Sequence, residues 1–455
     1  MIGTYKKTID IALTFIFINA LQLVLSKTSL GNGGLFELND AAALVMFISY
    51  EIAVLTMAIS ITSNKFRATA FFMSLFCSTF VFLPAVYQIY QARYPWSVPN
   101  DQPAITTTTI LMLCLSLSIL ASLFIKNKKN AKLALTLKSL RINYFQYALI
   151  TAFLFIIYII VGPVTFFTHR TENLSFLDSG LSSQLFVISR FGFLGVFIYI
   201  TLLLHSWQAN GKISPRPINI YFFWLILVPT YLAVCANPAT GNRFHFLSAI
   251  TSIALVYGVF SRKIVRYLTI VIATSVAYGA VFEMMRDPLG LTAHELAHKD
   301  RILNVDFDVY STTVNIVEYV HIHGYNWFSS FFSGFTFFLP RSIAAFRDLP
   351  LSIYAFDALG FNYSNVSALI MVEFYAALGP LGVIIGMITI SKTANRFDYS
   401  INIRDKKPLA GALAVVLAAF SPIILRGSFV GAAGMVGTCM LSIVLLHYLG
   451  KLKFK

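Results

Sequence analysis

Apolar residues dominate a series of stretches near residues 9–26, 41–62, 68–90, 105–125, 143–165, 183–204, 218–235, 244–260, 267–283, 366–390, 409–425 and 430–449. Each is about as long as a membrane-crossing helix requires, roughly 20 residues. Hydrocarbon offers no partner to an unpaired backbone N–H or C=O, so a chain that crosses it does so as helices or as a closed barrel. The alternating apolar and polar pattern of a barrel is absent from these stretches. The pattern predicts an all-α, polytopic membrane protein with about twelve transmembrane helices. Nine would precede residue 284 (1–283) and three would follow residue 365 (366–455), with one large outer loop between them (284–365).

Composition agrees. Hydrophobic residues make up 57% of the 455 positions and charged residues 12%, against about 45–50% and 25% in soluble domains. These values exclude a soluble globular chain and a disordered one. The first apolar stretch lacks a convincing small-residue cleavage site and reads as a retained span. Cys77, Cys114, Cys235 and Cys439 all lie in apolar stretches without paired spacing, which argues against a disulfide framework or a cysteine metal site.

The formal charge of +15 would suggest nucleic acid if it were spread evenly. It is not. Lys6 and Lys7, Lys65 and Arg67, the run from Lys126 to Arg141, Lys212 and Arg216, Arg262 to Arg266, Lys392 to Lys407 and Lys451 to Lys455 all fall on one side of the predicted topology. The opposite short loops carry only Lys27, Arg93, Arg170, Arg243 and Arg426. Short cytoplasmic loops are the basic ones, so both termini are expected in the cytoplasm. The charge is then a topology signal, and nucleic acid is not expected as a partner. The 284–365 segment is expected outside, as a folded cap with short helices lying on the membrane. Loops of this length are usually functional.

Ionisable side chains within or at the rim of spans mark function or tight pairing. Glu51, Arg190 and Glu373 fall within predicted spans, and Arg243 and Arg426 at their outer ends. Arg243 closes the run Asn237-Pro-Ala-Thr-Gly-Asn-Arg243. Pro and Gly interrupt the helix there and leave backbone N–H groups beside a guanidinium, a combination suited to an anion such as pyrophosphate. The outer loop adds Arg286, Arg301, Arg341 and Arg347. Outward arginines over a lipid-facing cavity would suit a lipid-linked diphosphate.

A second chemistry is written at residues 294–298, His-Glu-Leu-Ala-His. Two His at i and i+4 on a helix can hold zinc, with Glu295 as general base. Glu318 follows His298 at the spacing of a thermolysin-like third ligand. Against this stand Pro288 and Gly290 just upstream, Ile322 where an Asp would be expected, and the many spans around it. An amphipathic surface helix is the plainer reading, and no metal is expected. His321 and His323 would share a face on a strand and diverge on a helix. They read as packing or substrate-contact residues.

Several passages resemble the O-antigen polymerase (Wzy) family. They are Thr240-Gly-Asn-Arg243 opening a span, Phe335-Thr-Phe-Phe-Leu-Pro-Arg341 followed by Arg347 and Pro350, Gly360-Phe-Asn-Tyr-Ser-Asn365, Glu373-Phe-Tyr-Ala-Ala-Leu-Gly-Pro-Leu-Gly382, and Leu425-Arg-Gly427. The match covers about residues 235–430; the first half agrees in topology only.

The resemblance implies an inner-membrane glycosyltransferase, a polysaccharide polymerase working on the periplasmic face. A growing glycan on undecaprenyl pyrophosphate would be the donor and a new lipid-linked repeat unit the acceptor. A chain-length regulator of the Wzz kind and a flippase would be partners, membrane lipid the surroundings, and no cofactor is expected. The acceptor hydroxyl attacks the anomeric carbon, undecaprenyl pyrophosphate leaves, and arginines stabilise the departing charge. By resemblance Arg243, Arg341 and Arg426 hold the donor phosphates, with Arg286, Arg301 and Arg347 in support and Asn362, Asn365 and His321 as further contacts. Related O-antigen ligases carry a His before the Asn that ends the large loop. Asn362-Tyr-Ser-Asn365 has none, which favours polymerase over ligase. Glu373, expected about two turns inside its span, is the first choice for the base that takes the hydroxyl proton, with Asp357 and His321 as alternatives. A transporter of lipid-linked sugar, expected to break helices in both halves, is the reading from another class.

Overall fold

The computed structural model describes residues 8–20, 22, 41–63, 65–99, 101–125, 188–209, 243–261, 307–336, 350–361, 368–402, 407–427 and 429–449. The predicted spans at 143–165, 218–235 and 267–283 lie outside the described residues, as do Arg286, Arg301, Arg341, Arg347, Asn362, Asn365 and the His294–His298 motif.

The described residues are helical, with no strand among them. We number the helices α1 (Thr8–Ala20), α2 (Ala41–Thr62), α3 (Ala68–Gln91), α4 (Gln102–Ser122), α5 (Phe193–Ala209), α6 (Arg243–Ser261), α7 (Val309–His323), α8 (Ser329–Phe335), α9 (Leu351–Ala358), α10 (Ile370–Asn402), α11 (Pro408–Ala419), α12 (Ser421–Arg426) and α13 (Phe429–Leu449). Among the described residues five helices, α2, α3, α4, α10 and α13, are long and apolar enough to cross a membrane, and four shorter apolar helices accompany them. Every one of these lies on a stretch that the hydrophobic pattern marks.

Several of the hydroxyls inside these helices are satisfied locally. On α2, Ser49, Thr56 and Ser60 each donate to the carbonyl one turn back, at 2.7–2.8 Å. A hydroxyl that closes on its own backbone costs little in hydrocarbon. Helix α3 contains a π-helical turn at Cys77–Phe82, where Gln22 Nε2 donates to Ser78 Oγ (2.8 Å) and Thr79 Oγ1 (3.2 Å). Glu51, in the middle of α2, accepts from Asn19 Nδ2 at 3.0 Å. Arg190 is buried within a second π-helical turn, Ile188–Gly192.

The described connections gather at two ends. At one, Asp398 Oδ1 accepts the Thr69 N–H at the start of α3 (2.6 Å), and Asn395 Nδ2 donates to Ser122 O and Ile125 O. Lys65, Arg67 and Lys407 belong to these basic connections, and Arg396 lies in the last two turns of α10. At the other, Gln88 Nε2 donates to Phe307 O and Asn315 Nδ2 to Ser97 O. Here the Ala368 N–H also reaches Arg426 O, and the Asn326 N–H reaches Ala376 O. The described pieces of the 284–365 segment, α7, α8 and α9, belong to this second end, where few of the described residues are basic.

Two predicted spans differ from the structure. The 366–390 stretch is not one straight helix. Helix α10 breaks at Leu378 and Gly379, whose φ is +61°, and restarts at Pro380. Proline lacks the N–H and pushes the preceding residue out of the helical region. The halves fold back on each other. Met371 and Phe374 lie against Gly386, although fifteen residues of straight helix would separate Met371 from Gly386 by about 22 Å. Glu373 therefore sits in the first turn of a short half-helix, not two turns inside a span. The 409–425 stretch is likewise divided, at Phe420 ahead of Pro422, into α11 and α12.

The fold-back requires Gly382. A Cβ there would overlap the Phe374 carbonyl group, which is backbone and cannot rotate away. Gly434 on α13 faces open space. Gly382→Ala is expected to lose about 1–3 kcal/mol or more through overpacking. Gly434→Ala should be neutral or gain about 0.5–1 kcal/mol from the helix preference. Thermal unfolding in detergent compares the two; equal midpoints would contradict the close crossing.

Candidate functional site

The second end of the bundle assembles around the turn that joins α12 to α13. Arg426 ends α12 because Gly427, with extended backbone, follows it. Its carbonyl accepts the Ala368 N–H (2.8 Å), tying the approach to α10 to this turn. Its guanidinium Nη2 lies 3.4 Å from Asp308 Oδ1, and its Cζ stands 4.6 Å above the Phe244 ring.

Asp308 precedes α7, but its carboxylate does not cap that helix. It takes Arg426 on one oxygen and the Trp96 indole N–H on the other, at 3.2 Å. Asp308 is 1% exposed and the Arg426 side chain 13%. A 3.4 Å approach is longer than the 2.7–2.9 Å of a strong charge-assisted hydrogen bond. The ion pair chiefly balances a charge that burial would otherwise penalise.

The ring beneath Arg426 belongs to the residue after Arg243. Arg243 is the first residue of α6, so the helix start that the sequence marked as an anion site lies next to the guanidinium of Arg426; the Arg243 side chain is outside the description. Phe244 is held edge-on by Phe76 (5.9 Å) and Phe80 (5.4 Å) of α3, and Phe80 stacks on Phe307. This aromatic wall gives Arg426 an apolar, π-bearing floor.

Glu373 completes the turn. It is 1% exposed. Oε1 accepts the Phe429 N–H at 2.9 Å, one of the N–H groups that the start of α13 leaves unpaired within its own helix. Oε2 is buried and has no hydrogen-bond partner among the described residues. Phe331 of α8 covers this region, 4.9 Å from Phe374 and 4.8 Å from Phe429 between ring centroids.

His321 lies further along the same end, in the last turn of α7. Its Nε2 is 3.0 Å from Tyr375 Oη, two residues after Glu373. Its Nδ1 is 3.7 Å from Asp101 Oδ2, an ion pair when the ring is protonated. His323 diverges from it, as a helix demands, and packs on Tyr319. Glu318, one turn back, has its carboxyl pushed above the ordinary range by burial, with Asp101 adding and His321 opposing. Asp357 is exposed on α9.

Four of the expected site residues, Arg243, Arg426, Glu373 and His321, are thus carried to one end of the helices. Asp308, Trp96, Phe244, Phe429 and Tyr375 join them without having been singled out. Asp308 was visible only as one carboxylate among several in the outer segment, and its partner Arg426 is far away in sequence.

Fold and site together define an all-α protein with helices able to cross a membrane and a buried charge cluster at one end. No protein-family model, no curated protein and no solved structure matches this chain.

Proposed function

We propose that the protein is an inner-membrane polysaccharide polymerase. It transfers a growing glycan from undecaprenyl pyrophosphate to a hydroxyl of a new lipid-linked repeat unit on the periplasmic face. Both termini are cytoplasmic in this reading, and a flippase and a chain-length regulator work beside it. One observation carries the proposal: Arg426, the helix start at Arg243 and the Glu373 carboxylate meet at a single turn.

The roles follow from charge. As the anomeric carbon–oxygen bond breaks, negative charge gathers on the departing pyrophosphate. The α6 N–H groups and the guanidinium groups of Arg243 and Arg426 supply the opposing charge, with Arg341 as third contact and Arg286, Arg301 and Arg347 in support. Glu373 takes the proton of the attacking hydroxyl through Oε2, while Oε1 stays on the α13 backbone. Asn362, Asn365 and His321 contact the sugars.

The test is Arg243→Ala in the native host. Unpolymerised single repeats should then reach the surface, with protein abundance unchanged. Normal long chains in that strain would refute the assignment. A transporter of lipid-linked sugar is the second reading, favoured by the break in α10 at Leu378–Gly379. It predicts instead that lipid-linked repeats stay in the cytoplasmic leaflet of the variant.

A further inference from the structure

We propose that the segment Trp327–Phe335 is an interfacial anchor, seated among the headgroups and upper acyl chains of the bilayer. The segment has an inner and an outer face. On the inner face Phe331 is buried against Phe374 and Phe429. Phe335 also reaches Phe429, at 5.5 Å. Phe429 is the first residue of α13, a helix long and apolar enough to cross a membrane. Helix α8 is therefore fixed at the level where a membrane span begins.

The outer face is aromatic and bare. Trp327 is 73% exposed, and Phe332 and Phe335 are each 67% exposed. From Gly324 to Pro340 the sequence holds no charged residue, so nothing on this stretch offers an ion pair to an aqueous partner. Trp and Tyr favour this depth because their rings are apolar while one edge hydrogen-bonds to water or headgroup.

The backbone supports the same assignment. Trp327 and Phe328 have φ of +49° and +67°, a left-handed conformation that side-chain-bearing residues rarely adopt. Two successive residues held this way turn the chain sharply, so that Trp327 points outward while Phe331 points in. The inference rests on the membrane reading of α13 and not on the chemistry proposed for Glu373 and Arg426. Its consequence for that site is positional: with its outer face in lipid, α8 holds Phe331 over the Glu373 turn.

The experiment reads Trp327 fluorescence as the difference between wild-type protein and Trp327→Phe, both reconstituted in phosphatidylcholine vesicles. Lipids brominated at shallow acyl positions should remove most of the Trp327 emission. Deeply brominated lipids should remove less, and aqueous acrylamide little. Strong acrylamide quenching with no effect of brominated lipid would overturn the anchor. Protection from both quenchers would overturn it too, in favour of a protein partner or a second copy. Because Trp327 is exposed, the substitution should not disturb folding; equal unfolding midpoints for the two proteins check this.

Discussion

Arg426→Ala is expected to abolish chain extension and to lower stability. The side chain neutralises Asp308, which is 1% exposed, and removing one member of a buried pair typically costs about 3–5 kcal/mol because the other charge is stranded. The longer 3.4 Å contact and the Trp96 hydrogen bond that remains on Asp308 place the expected loss near the lower bound, about 3 kcal/mol. Stability alone would not distinguish a structural from a functional arginine. The double variant Arg426→Ala, Asp308→Asn separates them. With no stranded charge, its unfolding midpoint should return most of the way to wild type. Polymerisation should not return, because the guanidinium proposed to meet the donor phosphates is still missing. Recovery of both would reduce Arg426 to a packing residue.

Glu373→Gln should give the second large effect, with the opposite signature. Glutamine keeps an acceptor for the Phe429 N–H and nearly the same volume, so the turn between α12 and α13 should hold. The group proposed to accept the hydroxyl proton is lost, and loss of a general base typically slows a reaction by about 10²–10⁴-fold. Expression and unfolding midpoint are expected close to wild type, with single repeats in place of long chains. Glu373→Ala should be worse in stability, since it leaves the N–H at the start of α13 without its acceptor. If Glu373→Gln polymerises normally, Glu373 is a helix cap and the base lies elsewhere.

Membrane helices are legible in sequence because their signal is local. Twenty apolar residues announce themselves without reference to anything else in the chain, and α2, α3, α4 and α13 lie on their predicted stretches to within a few residues. The grouping of basic loops is legible for a related reason. Lys and Arg counts need no contacts, and the basic connections around Arg67 and Asp398 do meet at one end. What local signals miss is geometry made by breaks. Gly379-Pro380 is visible as a dipeptide, but its sequence does not reveal that the chain folds back so far that Met371 meets Gly386. Phe420 ahead of Ser421-Pro422 is a similar case.

The site divides along the same line. An arginine at a helix start and a glutamate in an apolar stretch stand out because hydrocarbon penalises them. Arg243, Arg426 and Glu373 were visible for that reason. Asp308 and Trp96 were not, because an acidic residue in the outer segment and an indole in a short connection cost nothing until they are buried. Only packing shows that Asp308 turns from its own helix to Arg426 and Trp96. The floor under Arg426 was hidden in the same way: Phe244 is one Phe among 42.

The central claim is that this turn transfers a glycan and releases a polyprenyl pyrophosphate. The direct measurement uses purified protein in liposomes, supplied with lipid-linked repeat units extracted from a host strain that lacks it. Lipid-linked glycans should lengthen by whole repeats, with one undecaprenyl pyrophosphate released for each linkage formed, and both products should vanish with Glu373→Gln. Unchanged single repeats and no released pyrophosphate, from protein that is folded and binds the substrate, would contradict the account.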